Sequence, residues 1–294
     1  MKSVKSILIA VLKNCLWGLF TLVLSIVFAI LLRVFCLASF KIPSYSMLPT
    51  LDAGDFIMVN KWTYGARIFN DYFNFPDSGQ VEMQRLWGYS HIKRNDVVVF
   101  NFPYFDDWTN LGMNIDVFYV KRCVALAGDT FYIENGIYKV KNCPDTLGCY
   151  ENQIANRQRF RYDRSRTPDE CFPYDSTYHW TVLNFGPFYV PRQGDRLNIN
   201  VDNIKLYRNL IAYETGQKIH TQSDTVYLGK QILQQYVFQK NYYFMAGDYV
   251  FDSRDSRYWG LLPEEHIVGK AVCIWKSTDI NTGKYRWKRF FKKL

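Results

Sequence analysis

The sequence predicts a mainly β protein with an N-terminal transmembrane helix, and three observations support this fold class. Aromatic residues make up 18% of the chain, with 22 Tyr and 22 Phe, which favours β-strands over a helical bundle. Residues 15–32 contain no charged side chain. Beyond residue 40, the apolar residues occur in short runs that are separated by turn-forming residues, as in a sheet.

The N-terminal apolar run is long enough to cross a membrane. Its eighteen residues would form a helix of roughly 27 Å, close to the thickness of the hydrocarbon layer. A buried core helix would be shorter and amphipathic. A cleaved secretory signal would end in a small-x-small site, which residues 37–40 do not provide. We therefore expect a retained transmembrane anchor over residues 15–36.

The charges before the anchor predict its orientation. Lys2, Lys5 and Lys13 precede or enter the helix, and no acidic residue accompanies them. Basic residues favour the cytoplasmic side of a membrane. We therefore expect residues 1–14 in the cytoplasm and the chain after residue 40 on the other side.

The net charge of +9 is concentrated at the two ends of the chain. Residues 1–33 carry +4 and residues 276–294 carry +6, which leaves −1 for the remainder. A neutral body argues against a basic nucleic-acid-binding face. The C-terminal segment 277–294 mixes basic and aromatic side chains. It is either a solvated tail or a contact with anionic lipid headgroups.

Six short apolar segments after the anchor are predicted to be strands. They are residues 56–60, 96–102, 118–127, 130–133, 137–139 and 270–275. No stretch beyond the anchor shows a long, convincing 3.6-residue period. Residues 141–180 are rich in Asp, Arg, Asn, Tyr and Pro. They are predicted to form an exposed insertion on the β scaffold.

The segment 40–51 contains two candidate catalytic hydroxyls. Pro43 and Pro49 disfavour both a helix and a central strand, so the segment is predicted to be extended and rigid. Ser44 and Ser46 then project to the same side. One hydroxyl could attack a carbonyl while the other donates to the developing oxyanion. Taken alone, two serines in a loop are more often turn-forming residues.

A serine nucleophile needs a base, and the best candidate is a lysine. None of the four histidines lies in a recognisable triad motif. Lys121 lies in the predicted strand 118–127, on the face that it shares with Tyr119, Cys123 and Ala125. On such an apolar face the neutral amine is favoured. The alternative is an edge-strand lysine that prevents aggregation.

A third segment, residues 245–263, carries a dense set of opposite charges. Residues 248–257 contain three Asp and two Arg, among them Asp248, Asp255 and Arg257, and the stretch is bounded by Gly247 and Gly260. This pattern indicates an ion-pair network that orders a loop, and the alternative is a solvated turn.

Two cysteines flank a short turn. Cys143 and Cys149 enclose a Pro-, Asp- and Gly-containing sequence that could close a disulfide in an oxidising compartment. A zinc site is less favoured, because the spacing is not C-x-x-C and no histidine lies nearby.

Together these segments resemble the type I signal peptidases (leader peptidases), which use a serine–lysine dyad. Four blocks match the family pattern in the same order. They are Ile42–Leu51, Gly54–Gly65, Tyr119–Asp129 and Gly247–Gly260. The sequence departs from the pattern at Tyr45, where the family has glycine, and at residues 249–251, where it has a polar N-R-D stretch. A positive φ at Tyr45 would be strained.

The resemblance implies a role for each matching residue. Ser46 matches the nucleophile, and Lys121 matches the general base. Ser44 matches the side-chain donor of the oxyanion hole, and the backbone N–H of Ser46 is the second donor. Ser253 matches the serine that orients the lysine amine.

The resemblance also implies ion pairs, substrate pockets and a disulfide. The pairs that hold the site loops are Asp248 with Arg122 and Asp255 with Arg257. The pockets for small residues at the first and third positions before the scissile bond match Phe40, Ile42, Pro43, Met47, Leu51, Ile57, Tyr119 and Val120. The cysteines at 143 and 149 resemble a disulfide found in some members.

By this resemblance the fold is an antiparallel β-sheet catalytic core, residues 37–135 and 240–276, with an inserted β-rich cap over 136–239. The implied function is a hydrolase of the plasma (inner) membrane. It is a serine endopeptidase that removes N-terminal signal peptides from exported preproteins. Its partners are preproteins and membrane lipid, with no metal, cofactor or nucleic acid. Two alternatives remain open: a peptidase for one dedicated substrate, and an inactive membrane-bound relative.

Overall fold

The computed structural model describes residues 4–71, 80–105, 108–162 and 168–294. The helices in these ranges are α1 (Val4–Leu31), α2 (Tyr150–Tyr162), α3 (Ile204–Thr215) and α4 (Ser256–Trp259). The strands are β1 (Leu37–Lys41), β2 (Asp55–Asn60), β3 (Arg67–Phe69), β4 (Met83–Arg85), β5 (Val97–Phe102), β6 (Asn114–Ala125), β7 (Thr130–Glu134), β8 (Ile137–Val140), β9 (Phe185–Tyr189), β10 (Arg196–Asn198), β11 (Ile219–Gln222), β12 (Thr225–Leu228), β13 (Gln231–Ile232), β14 (Gln235–Val237), β15 (Tyr242–Ala246), β16 (Leu262–Pro263), β17 (Ile267–Ser277) and β18 (Lys292–Lys293).

Helix α1 is the predicted apolar helix. Within the described residues, Val11–Cys36 is the one helical segment that is long and apolar enough to cross a membrane, and none of it is buried against the protein. The hydroxyls of Thr21 and Ser25 donate to backbone carbonyls one turn earlier. These polar groups are therefore satisfied inside the helix, as an apolar solvent requires.

The anchor passes directly into the sheet. A π-helical turn, Leu32–Cys36, continues α1 and leads into β1. The Lys61 ammonium, at the end of β2, donates to the carbonyls of Arg33 and Val34 at 2.9 and 3.2 Å. The end of the anchor is thus fixed to the end of β2, a strand that is paired on both sides.

The main sheet has eight strands in the order β1-β2-β17-β5-β6-β15-β16, with β18 paired to β17. Its strand pairs are antiparallel. All six predicted strands are present, and the predicted mainly antiparallel β fold is confirmed. Strand β5 is buried at every position. This explains its nearly continuous apolar sequence, because a central strand that is covered on both faces needs no polar side.

Alternate residues of β5 enter two different cores. Val97 and Val99 pack in a small cluster with Met47 and Leu51 of the segment that follows β1. Val98 and Phe100 pack in the large cluster, which continues into the region beyond β6. The small core therefore lies directly beneath the segment that carries Ser46.

The predicted insertion forms several small sheets. They are β8-β7-β9, β10-β14 and β11-β12-β13. Strand β7 pairs with both β8 and β9. A division at residue 136 therefore separates two strands of one hairpin.

The inserted region contains two helices, α2 and α3, although the sequence after the anchor shows no long, convincing helical period. Helix α3 buries Ile204, Tyr207 and Ile211 on one face. Leu206 and Leu210 are buried as well, so an apolar period of three to four residues is present in this short segment, and sequence reasoning missed it. Helix α2 buries only two residues, Gln153 and Asn156, and both are polar. Hydrophobic periodicity cannot detect such a helix.

The C-terminal segment is packed against the sheet and is not a free solvated tail. Arg289 donates to the Asp55 carboxylate at 2.6 Å, and Arg286 pairs with Asp52. Burial alone would raise the pKa of Asp55, but the hydrogen bonds from Arg289 and Ser277 lower it. Near these contacts, Tyr285, Trp287 and Phe291 stay exposed to solvent.

Candidate active site

Ser46 lies in a tight turn between β1 and β2. The N–H of Leu48 donates to the carbonyl of Tyr45, and the N–H of Leu51 donates to the carbonyl of Met47. Met47 and Leu51 are buried in the small core. These two side chains fix the turn to the small core, and Ser46 lies half-buried on the side of the turn that faces away from that core. Tyr45 does not adopt a positive φ.

Lys121 extends from β6 towards this turn. Its side chain is almost completely buried, with 4% exposed, and its Nζ lies 2.7 Å from Ser46 Oγ. It also donates to the carbonyl of Val120 at 3.2 Å. The neighbouring positions Cys123 and Ala125 on the same face are fully buried. The structure therefore brings the two predicted dyad residues into direct contact.

Burial lowers the pKa of Lys121 from 10.5 to about 8. Desolvation disfavours the charged ammonium, and this is the largest effect on the group. The carboxylates of Asp255, Asp248 and Asp252 oppose it, whereas the Arg257 guanidinium acts in the same direction as burial. A substantial fraction of Lys121 is consequently uncharged in mildly alkaline solution.

Ser44 lies on the same side as Ser46. The two hydroxyl oxygens are 3.4 Å apart. Ser44 is exposed, so its hydroxyl is free to turn towards a group that is bound above Ser46. This position suits a donor to an oxyanion that forms at the Ser46 oxygen.

The first predicted ion pair joins β6 to the loop after β15. Arg122 donates from Nε and Nη2 to the two carboxylate oxygens of Asp248, at 2.7 and 2.5 Å. Thr50, in the Ser46 turn, donates to the same carboxylate at 2.5 Å. The N–H of Tyr249 donates to the carbonyl of Ser46 at 3.0 Å. The pair therefore connects three segments of the site.

The second predicted ion pair lies inside the loop. Arg257 donates from Nε and Nη2 to Asp255 at 2.8 and 2.9 Å, and both residues are fully buried. Asp255 also accepts from the N–H of Gly247. Arg257 in turn reaches the carbonyls of Val250 and Ser253 at 3.4 Å. Through these hydrogen bonds, the buried pair fixes the conformation of the loop over residues 247–257.

Ser253 does not make the predicted contact with the lysine amine. Its side chain is buried, but its Oγ has no hydrogen-bond partner. Lys121 donates to Ser46 and to Val120 instead. Ser253 packs against Gly247, where an added Cβ would lie 2.0 Å from Ser253 Oγ and 2.6 Å from the Ser46 carbonyl oxygen. Only glycine fits at this position.

An open cleft of about 380 Å³ lies beside the dyad. Six of the eight predicted pocket residues line it, namely Phe40, Ile42, Pro43, Met47, Tyr119 and Val120. Leu51 and Ile57 do not, because both are fully buried in the small core below. Sequence reasoning missed Phe118, Asp252 and Arg254, which also line the cleft.

The predicted disulfide is not present. Cys143 and Cys149 are both free. The Cys143 thiol lies 3.4 Å from Asp145, and the Cys149 thiol lies 3.6 Å from Glu151. Each thiol is thus directed to a carboxylate two residues further along the chain.

Neither a histidine nor a metal cluster accompanies Ser46. All four histidines lie in the described part of the chain, and none of them lines the cleft. His266 is fully buried, which lowers its pKa to about 3. Among the described residues, no group of His, Cys, Asp and Glu is placed to hold a metal ion.

Comparison with known proteins identifies the family to which this chain belongs. The model of the family described as "Signal peptidase, peptidase S26" matches residues 15–276. Signal peptidase I of Buchnera aphidicola subsp. Baizongia pistaciae is 32% identical over 272 residues, which cover 90% of this chain and 76% of that protein. Signal peptidase I of Buchnera aphidicola subsp. Schizaphis graminum is 30% identical over 254 residues, with 85% and 71% covered. Signal peptidase I of Haemophilus influenzae is 28% identical over 295 residues, with 92% and 72% covered. Because the family match spans most of the chain, this protein belongs to the signal peptidase family, peptidase S26, and is an enzyme of that type.

Proposed function

We propose that this chain is a membrane-anchored serine endopeptidase that removes N-terminal signal peptides from exported preproteins. Ser46 is the nucleophile and Lys121 is the general base. The observation that carries the proposal is the 2.7 Å separation between the buried Lys121 amine and Ser46 Oγ, beside an open cleft. A nucleophile and a base within hydrogen-bonding distance can act as one unit.

The first step is acylation. The neutral Lys121 amine accepts the Ser46 proton while Oγ attacks the scissile carbonyl carbon. The carbonyl oxygen gains the negative charge, and the Ser44 hydroxyl and the Ser46 backbone N–H donate to it. Donors placed where charge develops stabilise the transition state more than the ground state.

The second step releases the mature protein. The Lys121 ammonium donates its proton to the nitrogen of the scissile amide, the C–N bond breaks, and the new N-terminus leaves as an amine. The signal peptide stays as an ester on Ser46 Oγ. Lys121, neutral again, takes a proton from water, whose oxygen attacks the ester carbon. The Lys121 ammonium then returns this proton to Ser46 Oγ as the C–O bond breaks, and the signal peptide leaves as a carboxylic acid that loses its remaining proton to water.

The cleft suits a peptide with small side chains before the scissile bond. Ile42 and Met47 are almost fully buried in its wall, and Phe40 also lines it, so its wall is largely apolar. Because β1 follows the anchor without a linker, Ser46 lies only ten residues beyond Cys36. A substrate whose own apolar helix is still in the membrane would present its cleavage site at a similar distance from the membrane surface.

The orientation and the lipid contact belong to the same proposal. The basic N-terminal residues place the N-terminus in the cytoplasm and the catalytic sheet on the opposite side. Trp287 and Phe291 in the C-terminal segment are 70% and 75% exposed, next to Lys288, Lys292 and Lys293. Aromatic rings beside basic groups fit a surface of anionic lipid headgroups.

The test is direct cleavage of a preprotein. The detergent-solubilised full chain is incubated with a preprotein, and the N-terminus of the shortened product is sequenced. We expect one new N-terminus directly after a small residue that follows the apolar signal region. An unchanged preprotein, with wild-type protein that is folded by circular dichroism, would contradict the proposal.

A further inference from the structure

We propose that Asn152, on helix α2 of the inserted region, is a positioning residue for the reaction at Ser46. This inference rests on the function proposed above. The side-chain amide of Asn152 joins the Ser46 turn to the Asp248 loop, so that the inserted region takes part in holding the catalytic geometry.

Asn152 uses both hydrogens of its amide on the two catalytic segments. Its Nδ2 donates to the carbonyl of Leu48 at 2.9 Å and to the carbonyl of Asp248 at 2.6 Å. Leu48 lies two residues after the nucleophile, and Asp248 is the carboxylate partner of Arg122. An asparagine amide has two N–H donors, so both are engaged, one on each segment.

The two segments are also joined by other contacts. The N–H of Tyr249 donates to the carbonyl of Ser46, and Thr50 donates to the Asp248 carboxylate. Arg122 bridges them from β6, because its Nη2 donates to Thr50 Oγ1 at 3.1 Å and to Asp248 at 2.5 Å. Asn152 adds the bridge that comes from the inserted region, and without it the backbone carbonyls of Leu48 and Asp248 lose their donor.

Helix α2 offers a rigid base for this contact. The loop before it is bonded to Asn95, whose side chain donates to the carbonyl of Thr146 and accepts from the N–H of Gly148, each at 2.8 Å. Asn95 also accepts from Arg122 through its carbonyl at 2.7 Å. The same arginine that holds Asp248 therefore fixes the start of the inserted helix.

The position of Ser46 matters because a proton transfer depends closely on distance. A displacement of about 1 Å in a reacting group can reduce the rate by roughly a hundredfold. Ser46 and Lys121 belong to different segments, the turn and β6. A contact that fixes the turn therefore acts on the rate of the chemical step and less on the binding of the peptide.

Asn156 provides a matched control on the same helix. It lies one turn after Asn152, it is 3% exposed, and its Nδ2 has no hydrogen-bond partner. Replacing it removes an asparagine side chain from α2 without removing a bond to either catalytic segment.

The experiment compares Asn152→Ala, Asn152→Asp and Asn156→Ala with the wild type, each as the full chain in detergent. The substrate is a peptide that spans a signal cleavage site, and kcat, KM and the unfolding temperature are measured. For Asn152→Ala we expect kcat to fall about tenfold to a hundredfold with KM changed less than about threefold. Asn152→Asp should lose as much, because it keeps the shape but presents no donor to the two carbonyls. Asn156→Ala should keep kcat within about threefold.

Three results would overturn the inference: a kcat for Asn152→Ala within threefold of wild type, an equal loss in Asn156→Ala, or a rise in KM without a fall in kcat. If Asn152→Ala unfolds, Asn152→Ser decides, since its hydroxyl keeps one donor and should give an intermediate kcat. A serine-acylating probe separates the two proposals. If the probe labels Ser46 at equal rates in wild type and Asn152→Ala, only this inference fails. If folded wild type is neither labelled nor active, the proposed function fails as well, and this inference falls with it.

Discussion

Two buried cations in this site, Lys121 and Arg257, differ in what burial does to their charge. Lys121 is 4% exposed and Arg257 is fully buried. Burial disfavours the charged form of both groups. It lowers the pKa of Lys121 to about 8, whereas for Arg257 the hydrogen-bonded Asp255 carboxylate outweighs it and raises the pKa.

The difference follows from their partners. Asp255 is occupied by Arg257 and by the N–H of Gly247. Among the described residues, Lys121 has no carboxylate within ion-pair distance, and its hydrogen bonds go to Ser46 and Val120. The charge of Arg257 also lowers the pKa of Lys121. Arg257 therefore stays charged and orders the loop. Its charge also favours the neutral form of Lys121, the form that can act as a base.

The largest effect is expected from replacing the dyad. Ser46→Ala and Lys121→Arg should each reduce kcat/KM on the order of 10⁴–10⁶-fold, because a guanidinium stays protonated and cannot act as a base. The double variant should lose little more, since nucleophile and base act as one unit. Peptide cleavage by the purified variants measures this. Substantial cleavage by Lys121→Arg would break the dyad assignment.

Breaking the buried Asp255–Arg257 ion pair should lower the free energy of unfolding. Asp255→Ala leaves the Arg257 charge buried without a partner, which is expected to reduce the free energy of unfolding by about 3–5 kcal/mol. Replacing both residues, with Arg257→Met as the second change, should recover part of this loss. Urea unfolding of the full chain in detergent gives the values. The exposed Glu134–Lys139 pair is the control. If Glu134→Ala reduced the free energy of unfolding as much as Asp255→Ala, the claim that the buried pair matters more than an exposed one would be wrong.

The oxyanion donor is expected to have a smaller effect on the rate. Ser44→Ala should reduce kcat by roughly 10²–10³-fold with KM little changed, as for the loss of one oxyanion donor. Ser44→Thr, which restores a hydroxyl, should regain most of the activity. Steady-state kinetics on the same peptide test this, and a kcat for Ser44→Ala equal to wild type would remove Ser44 from the mechanism.

The smallest effect concerns the pH dependence. The Asp252 carboxylate raises the pKa of Lys121, because it stabilises the ammonium form. Asp252→Asn should therefore shift the rise of kcat/KM to lower pH, since Lys121 becomes neutral earlier. A shift to higher pH would contradict the sign of this interaction. Asp195→Asn, at a carboxylate in the inserted region that pairs with Arg192, is the matched control and should leave the profile unchanged.

The two proposed dyad residues lie in segments that local patterns single out, but those patterns did not assign their roles. The alternation around Lys121 and the two prolines around Ser46 can be read within ten residues, whereas the roles of nucleophile and base came from the resemblance of the four blocks to the family. The strand β5 was equally clear, as an apolar run between turn residues. The order of the four sequence blocks then indicated the family, which the comparisons confirm.

The residues that sequence reasoning missed depend on contacts between distant segments. Asn152 lies 104 residues from Leu48 and 96 from Asp248, in a helix without an apolar face. Arg289 lies 234 residues from Asp55. The expected bond from Ser253 to the lysine amine depends on a side-chain orientation that no local pattern specifies, and the structure does not form it.

The proposed mechanism depends most on the uncharged state of the Lys121 amine. The direct measurement is the rate of Ser46 acylation by a serine-acylating probe in the full chain, followed from pH 6 to pH 10.5. Ser46 is acylated only while the Lys121 amine is neutral and can accept the Ser46 proton. The acylation rate should therefore rise with pH and level off, with an apparent pKa near the value of about 8 that burial gives Lys121. Lys121→Arg should show no such rise. A rate that is independent of pH, or one that rises only with the pKa of an ordinary lysine at about 10.4, would contradict the claim that burial prepares Lys121 as the base.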